Sequence, residues 1–259
     1  MKPLAEMVAV MHGDYLTGRD SSTCQLSPPA MPKLLTLLIL LTNTTLAEDL
    51  SKQPSKTPTV IKISSKDATA LVDTNDAPDL KDWGNKAGTL CVEWFPKIAA
   101  LLPSDGFTTL KEVTLYFDPA MKGVAHAAGG KITISAVFVR SHPDDWGMVV
   151  HELTHVVQSY PSGGPGWLVE GIADYIRIVH FEPQAPRPKL TRLASYKDAY
   201  KTTAMFLEWI EKHHSAGVVV KMNAALRKGE YRDDLWQKLT GKTVDELWKQ
   251  FLETIPAKS

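Results

Sequence analysis

The stretch His151-Glu152-Leu153-Thr154-His155, followed at a short distance by Gly166-Trp167-Leu168-Val169-Glu170-Gly171-Ile172-Ala173-Asp174-Tyr175, constrains this chain more than any other. On a helix, residues four apart lie on one face, so the His151 and His155 imidazoles project together. That spacing lets two ring nitrogens reach a single Zn²⁺, and Glu152, one step round the helix, is placed to polarise a water. A catalytic zinc site wants three protein ligands. Glu170 is the natural third ligand, and Asp174 follows it by one helical turn. The alternative is an ordinary amphipathic helix that carries two histidines by chance. It leaves the Trp-Leu-x-Glu-Gly-x-Ala-x-Tyr run unexplained.

The chain of 259 residues is long enough for one large domain with an ample core, and its 44% hydrophobic and 22% charged residues are those of an ordinary folded protein. Its 29 basic residues balance 29 acidic ones. With no basic run either, neither nucleic acid nor an anionic membrane is expected as a partner. Two cysteines, Cys24 and Cys91, make no disulfide framework for a chain of this size. Cys91 reads as a buried small hydrophobe, since no histidine lies near it in sequence to activate it.

The first thirty residues lack sustained periodicity and read as an extension ahead of the true initiator, Met31, or as disordered chain. Met31-Pro32-Lys33, the Leu/Ile-rich run Leu34 to Leu41, and Asn43 to Ala47 have the layout of a secretory signal peptide over residues 31–47, cleaved after Ala47. The run is too short to span a bilayer. A genuine long n-region or a buried core helix is the competing reading. A secreted protein is therefore expected, with residues 48–58 a polar, flexible lead-in and 59–259 a single domain.

Residues 59–63 read as a strand, as do 113–117. Residues 123–127 and 131–135 flank Gly129-Gly130 as a hairpin. Asp79 to Leu102 carries a helical stripe, with Pro96 expected to kink or break it. Ser141 is read as the cap of the helix that carries His151 and His155, running to about Ser159. A second helix starts near Trp167, and a proline-rich loop covers residues 181–188. Helices follow over 198–213, 218–227 and 233–239, and Thr243 to Glu246 forms a capping box for the last one. Strands first and helices afterwards make the fold class α+β. A small sheet is expected to lay an edge strand beside the two-histidine helix, where an extended peptide could pair with it. The remaining helices form a mostly helical C-terminal lobe. His126 reads as a surface or partly packed residue, His180, His213 and His214 as surface residues, and Trp167 as an anchor of the loop-to-helix junction.

His-Glu-Leu-Thr-His with Gly-Pro-Gly-Trp-Leu-Val-Glu-Gly-Ile-Ala-Asp-Tyr resembles the gluzincin metallopeptidases, whose third ligand is a glutamate. The run from Gly123 through Tyr175, with Ser195 to Ala204 and Leu235 to Lys242, is similar more closely to the basic secretory protein family, secreted proteins of plants, bacteria and fungi regarded as zinc peptidases. The resemblance covers nearly all of the chain after about residue 60. One departure is plain: this chain is neutral, not basic. The resemblance implies a zincin-like domain, one zinc ion held by His151, His155 and Glu170, Glu152 as general base, and a peptide or protein substrate. Asp174 is expected to hydrogen-bond the far nitrogen of a ligand histidine, with a plain surface carboxylate as the alternative. Tyr200 and Tyr196 are the candidates for stabilising the oxyanion; a buried tyrosine with a satisfied hydroxyl is the alternative for each. A monomer is expected. The competing functions are a secreted defence or recognition protein that retains the zinc site with little activity, and hydrolysis of a non-peptide amide at the same residues.

Overall fold

The computed structural model describes residues 59–161 and 164–256. The expectations for residues 1–30, for the signal peptide over 31–47 and for the lead-in over 48–58 lie outside the described residues. Five strands are described: β1 (Val60–Ser64), β2 (Thr69–Asp73), β3 (Glu112–Asp118), β4 (Ala125–Ala128) and β5 (Lys131–Ser135). They form one sheet in the order β1-β2-β3-β5-β4. The two outer pairs are antiparallel, while β2–β3 and β3–β5 are parallel. The sheet is therefore mixed, with β1 and β4 as its edges.

Period-two alternation builds one apolar face. Val113, Leu115 and Phe117 are buried along β3, and the row Ile61–Val72–Leu115–Ile132–Ala127 crosses all five strands in register. The other face is polar, with the Lys131 ammonium over the Tyr116 ring. The β4–β5 hairpin closes on Gly129 and Gly130, whose φ of 56° and 80° satisfy the two positive-φ positions of a tight turn. Strand β2 has no counterpart in the sequence reading. Its alanines and brevity give a weak β signal, and burial against β3 supplies what propensity does not.

Helix α1 (Lys81–Leu101) crosses the inner face and follows a short 3-10 turn, Pro78–Leu80. Gly84 and Gly88 allow the close approach: a Cβ on Gly88 would fall 2.6 Å from a Val72 methyl. Contrary to the expected break, α1 continues through Pro96. Cys91, Phe95 and Ile98 stay on the buried face either side of the proline, so packing outweighs the one lost backbone hydrogen bond. Trp83 and Trp94 pack into the core's edge, Trp83 stacked on Trp146 at 4.8 Å and edge-on to Phe117, and Trp94 edge-on to Phe181.

Helix α2 (Ala136–Ser141) is capped by Ser135, whose hydroxyl accepts from the Phe138 amide. It was not anticipated, and it moves the next helix start. Ser141 ends α2 instead of capping α3 (Trp146–Gln158). That cap is Asp145, which accepts from the Met148 amide at 3.1 Å. Helix α4 (Gly166–Tyr175) runs on into a π-helical turn, Ile176–Phe181. Then come α5 (Tyr200–His213), α6 (Val218–Lys228), α7 (Asp234–Thr240) and α8 (Val244–Glu253), with the expected capping box at Thr243 and Glu246. Thus the part after α3 is helical, α3 packs against β4, α1 and α4, and α4 packs on α5. Among the described residues no helix is long and apolar enough to cross a membrane.

Candidate metal centre

Helix α3 is buried over most of its circumference, including Val149, Val150, Leu153 and Val157, so its histidines are held without freedom to swing into solvent. His151 Nε2 and His155 Nε2 lie 3.1 Å apart, and Glu170 Oε2 on α4 lies 3.1 and 3.2 Å from them. Among the described residues these three form the group that could hold a metal ion. A tetrahedral zinc with bonds of ~2.0–2.1 Å has ligand–ligand edges of roughly 3.3 Å, which the triangle matches closely.

The far sides of both imidazoles set the tautomers. Asp174, buried on α4, accepts from His151 Nδ1–H at 2.7 Å. The expected hydrogen bond to the far nitrogen of His151 is present, and the carboxylate is buried and not on the surface. His155 Nδ1 faces Gln158 Oε1 at 2.8 Å. With Nδ1 protonated on each neutral ring, both Nε2 lone pairs and a carboxylate oxygen converge on one point. Three such acceptors so close require a positive charge among them, and the donor set suits zinc.

The electrostatics agree. Burial works against a charged His151, but hydrogen bonds to Asp174 and Glu170 outweigh it and push its pKa up to about 10. His155 shifts upward as well, with burial opposing and Glu170 prevailing. Burial also opposes ionisation of Glu170, yet the two imidazoles hold its carboxyl well below the usual carboxylate range. The cluster favours positive charge, whether proton or metal.

Glu152 is 3% exposed, and its Oε2 has no hydrogen-bond partner among the described residues. A buried carboxylate oxygen without a partner is costly and marks a functional position. The two candidate tyrosines separate clearly. Tyr196 is buried against Trp167, Phe206 and Trp248, and its hydroxyl donates to Asp245 at 2.8 Å. It is a structural residue. Tyr200 has its ring 6.1 Å from that of His151, and its pKa is pushed up to about 12 by burial and by Glu170, Glu152 and Asp174. Its hydroxyl makes no hydrogen bond among the described residues, so it is free to donate.

The strain beside Tyr200 is local. Ala199 has φ 60° and ψ −166°, a region close to glycine's alone, and Tyr200 itself has φ 50°. This turn lifts the chain from the 3-10 turn Tyr196–Asp198 into α5, with Tyr200 beside His151. Trp167 packs on Tyr196 and Trp236, as a junction anchor should. His126 is half-buried on β4 and His213 exposed; His180 and His214 are less exposed than expected, packing on Tyr175 and Trp209. Gln158 was missed in the sequence reading, although its i+3 spacing from His155 places it on the same helix face.

No curated protein matches the chain. The family model described as "Peptidase of plants and bacteria" matches residues 85–251, well over half of the chain, and the span encloses His151, Glu152, His155, Glu170, Asp174 and Tyr200. With that span running from the start of α1 to the last turns of α8, the chain belongs to the BSP family, the basic secretory protein peptidases of plants and bacteria.

Proposed function

We propose that the protein is a secreted, zinc-dependent peptidase with a zincin-like catalytic domain, acting as a monomer on peptide or protein substrates. The observation that carries this reading is the convergence of three lone-pair atoms, from His151, His155 and Glu170, beside the buried and unpartnered Glu152 carboxylate. His151, His155 and Glu170 would hold the zinc, which when bound would supply Lewis acidity toward the scissile carbonyl and lower the pKa of water toward ~7.

The chain's own residues do the rest. Asp174 fixes His151 in the Nδ1–H tautomer, which leaves Nε2 free to bind. Glu152 takes a proton from the attacking water and passes it to the departing amine nitrogen. A carboxylate is suited to this because its partnerless Oε2 has no competing donor to satisfy. Tyr200 donates its hydroxyl proton in a hydrogen bond to the developing oxyanion; burial and the carboxylates around it keep that proton in place at neutral pH. Edge strand β4, against which α3 packs, supplies backbone groups for an extended substrate.

Glu152→Gln is the direct test. Turnover of a peptide library should fall by about 10²–10⁴-fold while the bound zinc, measured by elemental analysis, stays at the wild-type level. Unchanged turnover removes Glu152 from the mechanism. Stoichiometric zinc with no cleavage in the wild-type protein would favour a secreted defence or recognition protein that keeps the site without the activity.

A further inference from the structure

The two ligand histidines are oriented by unlike groups, and only one of these is a carboxylate. Asp174 holds His151, whereas an amide, Gln158, holds His155. Gln158 is 2% exposed and closes the last turn of α3. Its two ends are told apart by their partners. Val169 O, 3.0 Å from one end, can only accept, so the NH₂ lies there. The carbonyl end must then face His155 Nδ1, and that nitrogen must carry the proton. Nε2 is left with its lone pair toward His151 and Glu170.

The same amide joins two ligand-bearing helices. Val169 precedes Glu170 on α4, so the Gln158–Val169 hydrogen bond ties the end of α3 to the backbone beside the third ligand. Asp174 makes the reciprocal tie, from α4 back to His151 on α3. Gln158 is itself held from behind: its backbone carbonyl and that of Val157 accept from the Arg227 guanidinium at 3.2 and 2.9 Å.

We propose that Gln158 is a positioning residue of the metal centre: its amide oxygen sets the tautomer and ring orientation of His155. This rests on the metal-centre reading above. A group that hydrogen-bonds the far nitrogen of a metal-binding histidine typically changes metal affinity by ~10–100-fold. The amide also keeps that side of the centre neutral, where a second carboxylate would add negative charge to Asp174, Glu152 and Glu170.

The experiment compares the full chain with Gln158→Met and Gln158→Glu, reading the zinc dissociation constant by competition with a chromophoric chelator. Methionine matches the length and volume but removes both the acceptor toward His155 and the donor toward Val169; glutamate loses only the donor, so the difference between the two variants isolates the acceptor. A positioning role predicts zinc binding ~10–100-fold weaker in Gln158→Met and near wild type in Gln158→Glu. Equal zinc affinity in wild type and Gln158→Met, or equal loss in both variants together with a lowered melting temperature, overturns the proposal and assigns Gln158 to packing alone. If neither variant folds, ¹⁵N chemical shifts of the wild-type histidines decide, because Nδ1–H on His155 is required and Nε2–H overturns it. A wild-type chain that binds no zinc would instead overturn the metal-centre reading, a result distinct from the Gln158 outcomes.

Discussion

Glu152 and Gln158 lie on the same helix, both are buried, and their hydrogen bonding is opposite in kind. Gln158 has a partner at each end of its amide, whereas Glu152 Oε2 has none among the described residues. The first pattern is that of a group that holds others in place, the second that of a group kept ready for a reacting molecule. Ala199 belongs to the same scale. Its backbone strain costs ~1–3 kcal/mol, while a glycine in its place would add only ~0.5–1 kcal/mol of chain entropy. Ala199→Gly should therefore stabilise the protein by about 1 kcal/mol, seen as a higher denaturant midpoint. Cys91 is the other residue with a sharp expectation. Burial pushes its thiol pKa up to about 12, so at pH 8 it stays protonated and shielded. A thiol reagent should leave Cys91 unlabelled in the native protein and label it in denaturant, as peptide mapping would read out. Rapid native labelling of Cys91 would contradict its placement in the core.

At the scale of elements, the centre depends on how closely α4 meets its neighbours. Gly171, next to Glu170, faces Thr203 on α5, and a Cβ there would lie 2.6 Å from Thr203 Cβ. Thr203 cannot rotate away freely because its hydroxyl donates to Tyr196 O at 2.7 Å. Alanine would gain ~1 kcal/mol of helix propensity, but the overlap costs ~1–3 kcal/mol and its relief must push the helices apart. Gly171→Ala should thus lower the melting temperature and, by shifting Glu170, weaken zinc binding; a rise in both would show that α4 has room to spare. Element boundaries depended on the same kind of contact. Ser141 has a capping residue's chemistry, yet Asp145 caps α3, because α2 has already claimed the residues up to 141. The Asp145 carboxylate is also fixed by Arg177 at 2.7 Å, a partner 32 residues away.

Across the whole molecule, Arg227 joins the sheet-side layer to the helical part. Its guanidinium donates to Leu102 O at the end of α1 and to Val157 O and Gln158 O at the end of α3, and stacks over Phe107 at 4.0 Å. Its hydrogen-bond partners are carbonyls at two helix C-termini, where the negative end of each helix dipole favours a cation. Asn223, one turn earlier on α6, adds a bond to Leu102 O. Arg227→Met should cost about 3 kcal/mol, since it leaves Val157 O and Gln158 O without their donor and Leu102 O with Asn223 alone, and the loss should appear as a lower unfolding midpoint. A change within measurement error would mean that water replaces the guanidinium at no cost.

What the sequence determined by itself was local and periodic. The four-residue spacing of His151 and His155, the adjacent Glu152, the one-turn separation of Glu170 and Asp174, the Gly129-Gly130 turn and the Thr243–Glu246 box are all set by the geometry of single elements. Their chemistry could therefore be read before any tertiary contact was known. The tertiary structure decided everything that depends on who meets whom. It chose Tyr200 over Tyr196 for the side of the metal centre, carried α1 through Pro96, inserted β2 between β1 and β3, and brought Gln158 to Val169. It also joined Arg227 to Leu102 across 125 residues of chain. No periodicity encodes such partners, because a buried polar group accepts whatever complementary group the folded backbone brings within ~3 Å.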